Sequence, residues 1–514
     1  MQVLANQFLS TTTLNLGSGG SMIDSMDRAE ATSTSKSGIS SWPDTTSLYE
    51  RFEALVKQPI RPLRREAAEK VLTWFDKHCS GSRRLFEAAK EVIPGGIQHN
   101  LAFNYPFPLA MEKAEGAYLT DVDGNRYIDF LQAGGPTLLG SNDAYVRGKV
   151  EELLRECGSV TGLLHEYEVK LAELVCEVMP GVEMLRLLSS GTEAVMGAIR
   201  LARTYTKHKW IIKIGGAYHG WSDQLVYGMR LPGTGRLEAV GIPSAATAYT
   251  QECHPNDLDA LRRRLLINRL RGGTAAVLLE PLGPESGTRP VAKDYNREVR
   301  KLCDEFGALL IFDEVVTGFR VGMSGAQGYF GVLPDITVLG KCISGGYPMA
   351  GAIGGRREVM MLLAGGIGTR SRRAFVGGTL SANPLSCVAG YFALQEMRRR
   401  DAAVIAGQAG DRLCRGLEQI IDRLGLPYVA YNMGSIVHLQ TSGVLLLDTS
   451  SLYKLFKARS EINVRKHMME EMGAAYAAAG LITLAGSRIY TSMADSDEVI
   501  NDALNRFEDV FKMV

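Results

Sequence analysis

From about residue 150 onward, short apolar runs alternate with amphipathic stretches of helical period. That alternation constrains the fold of this chain more than any other feature. EYEVKLAELVCEVMPG reads as a helix, EMLRLLSS as a strand, GTEAVMGAIRLARTYT as a helix and KWIIKIGGAYHG as a strand. DLDALRRRLLINRL, TAAVLLEPL, YNREVRKLCDEFG and ALLIFDEVV continue the series, and DITVLGK ends a further strand. Strands that alternate in this way with helices point to an α/β fold, a mostly parallel sheet covered by helices on both faces. Ligands of such sheets bind beyond the carboxyl ends of the strands. Chemistry is therefore expected in the residues just after each strand.

The flanking segments read differently. GAYLTDVDGNRYIDFL (116–131) alternates around DGN and predicts a hairpin. After about residue 385, CVAGYFALQEMRRR leads into mixed helices and short strands, the pattern of a separate lobe. Residues 1–45, rich in Ser, Thr and Gly, read as a mobile tail or cloning remnant. SLYERFEALV and RPLRREAAEKVLTWFDKHC read as amphipathic helices that pack on the main body or on a partner subunit. The expected division is a tail at 1–45, a helical extension at 46–84, a first piece of a small domain at 85–150, a large domain at 151–385 and the rest of the small domain at 386–514.

Composition excludes several classes. A chain of 514 residues holds a large core plus one or two lobes. With 57 basic against 56 acidic side chains, and no basic block, nothing points to nucleic acid. No apolar run reaches the roughly 18–20 residues of a membrane span. The first residues lack a basic n-region, and arginine is nearly absent before Arg28, which argues against secretory and transit signals. The eight cysteines show no CxxC and no zinc spacing. They read as reduced, mostly buried thiols of a cytoplasmic protein with no metal site.

Four motifs follow strands. In LLIFDEVVTGFR, an apolar strand meets Asp313 and Glu314, and a buried carboxylate needs a partner. In SSGTEAVMGAIRLAR, Ser190 is a good N-cap with Glu193 at capping-box spacing. Gly191 and Thr192 leave amides open for an anion, although such starts are more often caps alone. In LGKCISGG, Lys341 ends a strand before a Gly-rich turn. It is not a nucleotide P-loop, because Asp335 stands where the first glycine belongs and Cys342 replaces Ser or Thr. A surface lysine is the commoner reading; a buried one has a depressed pKa and forms a Schiff base with an aldehyde. In GGAYHGWSD, Tyr218, His219 and Trp221 either anchor a loop or floor a flat ring. GGTLSANP (377–384) reads as a turn before a helix. Together these suit a phosphorylated pyridine aldehyde. Asp313 would keep the ring nitrogen protonated, so its positive partner would belong to the cofactor. Strand alternation puts Val315 on the side of Asp313, under the ring, and turns Glu314 away. No GxGxxG follows a strand, so a nicotinamide cofactor is not indicated.

In combination VIPGG, GAYLTDVDGNRYIDF, SSGTEAVMGAIRLAR, AYHGW, EPLGPESG, FDEVVTGFR, LGKCISGG and GGTLSANP resemble the class III, fold-type-I pyridoxal-phosphate aminotransferases, on the branch of glutamate-1-semialdehyde 2,1-aminomutase and related transaminases. The resemblance runs from about Leu85 to the C-terminus. It implies a large domain with a mostly parallel sheet and a smaller α+β domain built from both chain ends. It implies pyridoxal 5'-phosphate as cofactor, with Lys341 as the Schiff-base lysine, Asp313 on the ring nitrogen, Ser190, Gly191 and Thr192 as the phosphate cup, and Tyr218 as the stacking ring. His219, Glu280 and Asn256 fall near the cofactor by the same matching. Gly378 and Thr379 resemble the pair that reaches the phosphate of the other subunit's cofactor, which implies a homodimer with shared sites and a small-molecule donor and acceptor. One departure stands out. Where the aminomutase carries a Ser and an Arg for the substrate carboxylate, this chain reads PGGIQHNLAFNYPF, with His99 and Asn100 but no Arg. A guanidinium is hard to replace for planar carboxylate recognition. Arg488, in AGSRIY, is the substitute candidate, and Trp221 a further substrate candidate. The expectation is transamination, with an intramolecular aminomutase as the alternative and a non-catalytic cofactor-binding protein as the remote one.

Overall fold

The computed structural model describes residues 36–99, 104–235, 239–365, 373–449, 452–484 and 486–514. Residues 1–35 of the tail expected at 1–45 and the candidate Asn100 lie outside these residues.

Three strands open the chain: β1 (Met111–Glu115), β2 (Tyr118–Asp121) and β3 (Arg126–Asp129). The predicted hairpin around DGN joins β2 and β3 antiparallel. Seven strands then build the main sheet: β4 (Met184–Leu188), β5 (Trp210–Ile214), β6 (Thr250–Cys253), β7 (Thr274–Leu279), β8 (Leu309–Glu314), β9 (Ile336–Gly340) and β10 (Gly351–Gly355). Their order is β4-β10-β9-β8-β7-β5-β6. β10 runs antiparallel to both β4 and β9, and the remaining neighbours are parallel. The last strands are β11 (Val429–Met433), β12 (Ile436–Gln440), β13 (Leu481–Ile482) and β14 (Arg488–Tyr490). β11, β12 and β14 form one small sheet, while β13 adds parallel to β3. The smaller lobe is thus closed by both ends of the chain, around a core that runs from Phe75 and Phe130 to Tyr476 and Phe507.

β6 and β10 are the strands of the main sheet that the sequence did not reveal, and β10 has a plain reason. AGAIGG is too small and glycine-rich to carry strand propensity. Its glycines are there for space: a Cβ on Gly351 would stand 2.4 Å from the carbonyl oxygen of Ser190.

Helices α1 (Thr45–Lys57), α2 (Arg65–His78) and α3 (Ser80–Lys90) follow the N-terminal segment. The tail reading fails for residues 36–45. Gly38 donates its amide to Val321 O at 2.9 Å, and Ile39 is buried in the core. Gly407 and Gly434 make room for this passage, since a Cβ on either would strike Gly38 O. The boundary expected at 84 falls inside α3. α1 buries Leu48, Phe52 and Leu55 with the main sheet's core, whereas α2 buries Val71 and Phe75 in the small lobe. The extension is therefore shared between lobes. The boundary expected at 386 also moves. The helix Pro384–Arg399 packs Cys387, Ala393 and Leu394 against the large domain, and the chain passes to the small lobe only beyond it. Six cysteines are buried as expected; Cys157 is exposed and Cys176 half-buried. Among the described residues no helix is long and apolar enough to cross a membrane.

Candidate active site

β8 presents its two carboxylates to opposite sides. Glu314 accepts from the amides of Ala326 at 2.7 Å and Gln327 at 3.0 Å, and from Thr317 Oγ1 at 2.8 Å. It caps the short helix Gly325–Phe330 and faces away from Asp313. Burial raises its pKa, against those hydrogen bonds. Asp313 accepts from Val315 N at 3.0 Å through Oδ1 and from His219 Nδ1 at 2.7 Å through Oδ2. Burial holds the His219 pKa below its usual value, although Asp313 pulls the other way. The imidazole is therefore neutral, with its proton on Nδ1 toward the carboxylate. Its buried Nε2 finds no partner among the described residues. The protein thus supplies Asp313 with two neutral donors and, among the contacts described, no cation of its own.

His219 is held through its loop. Lys213, fully buried on β5, donates at 2.8 Å to the carbonyls of Ala217 and Tyr227 and so clasps both ends of the loop 217–227 that carries AYHGW. Tyr218 N donates to Glu280 Oε1 at 3.0 Å. Glu280 also accepts from Glu285 N at 2.8 Å, Ser286 N and Ser286 Oγ. It ties the loop after β5 to the loop after β7. Burial first, then the nearby Asp313 and Glu285, push its pKa up to about 7.

The helix α4 (Gly191–Thr206) starts beside these loops. Ser190 Oγ accepts from Glu193 N at 3.2 Å, the expected N-cap. The Glu193 carboxylate reaches back to Ser189 N at 2.8 Å, one residue before the capping-box position. The first amides of α4 have no intrahelical acceptor, which leaves a partial positive charge at this end of the helix. Val315 wedges between this helix start and β9: a Cβ on Gly191 or on Gly340 would come within 3.0 or 2.9 Å of its methyls. Lys341 follows Gly340 with φ +46, half-buried, and donates to Gly134 O at 2.8 Å. The next carbonyl, Gly135 O, accepts from Arg320 Nε at 2.9 Å and Nη2 at 2.7 Å. Arg320 is fully buried and also bonds Gln132 Oε1, Ser435 Oγ and Thr491 O. It fixes the turn that receives the lysine amine.

The remaining candidates scatter. Tyr218 is half-exposed beside the cluster, and Trp221, at 74% exposure, stands on the rim. Gly378 and Thr379 are both exposed, and a Cβ on Gly378 would come within 3.0 Å of Ser189 Oγ. His99 is exposed on the surface. Asn256 does not join the site. It is exposed and closes a turn, bonding Pro290 O at 3.2 Å and accepting from Ala292 N at 2.8 Å. Arg488 reaches Glu285 Oε2 at 2.8 Å, with both side chains largely buried. Burial lowers its pKa, but Tyr490 and Glu285 outweigh that and raise it overall. Glu285 and the next residue, Ser286, are left-handed non-glycines at φ +47 and +50, a strain of about 1–3 kcal/mol each.

Lys213, Arg320 and Glu285 were not picked out from the sequence. Lys213 sits in a strand whose period gives it no special place. EPLGPESG drew notice as a motif, yet a pairing between Glu285 and a residue about 200 positions away has no local signal.

The cluster fits a flat, anionic, aldehyde-bearing cofactor. It combines a helix start with open amides, a half-buried lysine amine, a carboxylate backed by histidine, and an unpartnered buried imidazole nitrogen. Comparison with known proteins agrees. The model of the family "Aminotransferase class-III" matches residues 102–429. Glutamate-1-semialdehyde 2,1-aminomutase of Chlorobium limicola is 40% identical over 375 residues, covering 72% of this chain and 85% of that protein. The crystal structure of an omega-transaminase from Sphaerobacter thermophilus superposes with a TM-score of 0.75 at 28% identity, over 85% of this chain and 98% of that one. A β-phenylalanine aminotransferase from Variovorax paradoxus gives 0.74 at 27%, over 87% and 97%. The chain belongs to the class III aminotransferases, pyridoxal-phosphate-dependent enzymes of fold type I.

Proposed function

We propose that this protein is a transaminase that moves an amino group from an amino acid or amine to a separate keto acid or aldehyde, with Lys341 as its catalytic amine. The observation that carries the reading is the convergence of Lys341, the Asp313–His219 pair and the start of α4 at neighbouring strand ends. Pyridoxal phosphate, when bound, supplies an electron-withdrawing ring next to the transferred nitrogen. The chain's residues do the rest. Gly191 and Thr192 offer amides, and Ser190 a hydroxyl, to the phosphate. Asp313, oriented by His219, holds a proton on the ring nitrogen. Val315 and Tyr218 are the residues that bound the ring. Lys341 would take a proton from the substrate carbon and deliver it to the cofactor carbon that bears the transferred nitrogen, a step for which positioned groups give about 10²–10⁴ in rate.

The 40% identity to an aminomutase favours a second reading, an intramolecular amine shift. The missing arginine in PGGIQHNLAFNYPF counts against it. Arg488 is the carboxylate anchor we assign instead. Glu285 occupies it, so a substrate carboxylate must displace that side chain. We also infer a homodimer, supported by the exposed Leu163, Leu164 and Phe375 and by the open Gly378 and Thr379. Free cysteines support a cytoplasmic setting. The test is a half-reaction screen. Single amines are added to the aldehyde-loaded enzyme and conversion to the aminated cofactor is followed by absorbance; a keto acid then restores the starting spectrum. Full turnover of an amino aldehyde with no added carbonyl acceptor would refute the transaminase reading in favour of the aminomutase.

A further inference from the structure

The N-terminal segment lies outside the residues matched by the family model, yet it packs against the turn that carries Glu285. Trp42 Nε1 donates to Val291 O at 3.0 Å, and Tyr49 Oη donates to Pro290 O at 3.2 Å. Phe52 lies one turn of α1 from Tyr49 and packs its ring 5.3 Å from that of Tyr431. Tyr431 Oη donates to Thr288 O at 2.8 Å, with Gly287 O at 3.3 Å. The Tyr431 ring stacks on His438 at 4.8 Å and 10°. His438 Nε2 donates in turn to Ser286 O at 3.2 Å. The carbonyls of Pro290 and Val291 are therefore gripped by α1 and its approach segment, those of Gly287 and Thr288 by Tyr431 packed on α1, and that of Ser286 by His438 stacked behind Tyr431.

The gripped turn cannot relax by itself. Glu285, Ser286 and Gly287 are all left-handed, and a Cβ on Gly287 would collide with Met433 Cε. Outside forces must hold such a backbone in place. Its position decides where the Glu285 carboxylate sits, 2.8 Å from Arg488. Arg488 is also the cross-strand neighbour of His438, so the same side chains bracket both members of the ion pair.

We propose that residues 42–52 are a specificity-determining strap. Trp42, Tyr49 and Phe52 are positioning residues that act through Tyr431 and His438 to keep Glu285 on Arg488. The strap thereby sets the cost of admitting a second carboxylate to the site. A tight strap favours substrates without that carboxylate, and a loosened strap admits dicarboxylates more readily. This deepens the assignment of Arg488 as anchor and rests on it.

The test uses full-length holoenzyme and the double variant Trp42→Phe/Tyr49→Phe, which keeps both rings and removes both hydrogen bonds. Amide hydrogen exchange of the peptide 283–291 reports the strap directly. Glutarate affinity, by calorimetry, reports the anchor. The expected result is faster exchange at 283–291 and glutarate bound roughly 3- to 10-fold more tightly, the effect of one or two ordinary hydrogen bonds. Tighter binding after loss of contacts is not an outcome of general structural damage. Unchanged exchange overturns the strap. Faster exchange with unaltered glutarate affinity overturns its role in specificity, provided Arg488→Gln weakens glutarate in the same assay. If Arg488→Gln binds glutarate like the parent, the anchor assignment falls by itself, and exchange still decides the strap. Phe52→Leu serves as the second variant; unaltered exchange there as well overturns the relay through Tyr431.

Discussion

Replacing Gly351 by Ala tests whether the antiparallel β10 is what sets the phosphate cup. Gly351 pairs with Leu188 on one side and Gly340 on the other, at the level of the helix start. An added methyl would lie 2.4 Å from Ser190 O, 2.5 Å from its carbonyl carbon and 2.6 Å from its nitrogen. Ordinary contact begins at 3.4 Å, so the two backbones must part by about 3.4 − 2.4 = 1.0 Å. No flexible side chain is available to yield. Overpacking of this kind costs about 1–3 kcal/mol. Because the atoms that must move belong to Ser190, the loss should appear in cofactor affinity, as a rise in its dissociation constant of roughly 5- to 150-fold. Titration of apoenzyme with pyridoxal phosphate, followed by absorbance, measures it. Gly148→Ala is the control. It lies inside the helix Ala144–Glu156 with no atom within 4 Å of the added methyl, and should bind cofactor normally. Parental affinity in Gly351→Ala would refute the claim that β10 positions the cup.

Four further outcomes are expected. Arg320→Met should destabilise the protein by about 3–5 kcal/mol, since a fully buried guanidinium that serves Gly135, Thr491, Ser435 and Gln132 leaves its acceptors unpaired; denaturant midpoints would show it. His438 has its pKa lowered to about 3 by burial and by Arg488, against an ordinary value of 6.5. The neutral form is the folded one, so its contribution is intact above pH 6.5 and declines as pH falls toward 3. The parent should therefore lose roughly 2 kcal/mol more than His438→Gln between pH 6.5 and pH 5, at about 1.4 kcal/mol per unit, and parallel pH profiles in denaturant would contradict this. Asp313→Asn should fold and bind cofactor but abstract the substrate proton far more slowly, read as the half-reaction rate; Lys341→Ala should lose both that reaction and the visible band of the lysine–cofactor bond.

The elements legible in the chain were those whose information is local. α4 was read end to end from GTEAVMGAIRLARTYT, because a cap, a helical period and a following break all lie within one window. β8 showed itself as a continuous apolar run closed by two carboxylates. Lys341 and Asp313 were legible because strand ends in a parallel sheet are where ligands bind. β10 was not, since its reason for being glycine-rich is the backbone of Ser190, some 160 residues earlier. Nor was the role of residues 36–45, whose Ser- and Gly-rich composition imitates a tail although Gly38 is threaded past Gly407 and Gly434.

Period, capping and turn chemistry thus dictated the α/β alternation and put Asp313, Lys341 and the Ser190 cap forward as candidates at strand ends, because each of those signals depends on residues within a few positions of one another. Folding in three dimensions decided which neutral donors serve Asp313, which carboxylate occupies Arg488 and which helix grips the turn between them. Those are pairings between segments distant in the chain. Their energies come from burial and hydrogen-bond geometry, which arise only when the chain has closed on itself.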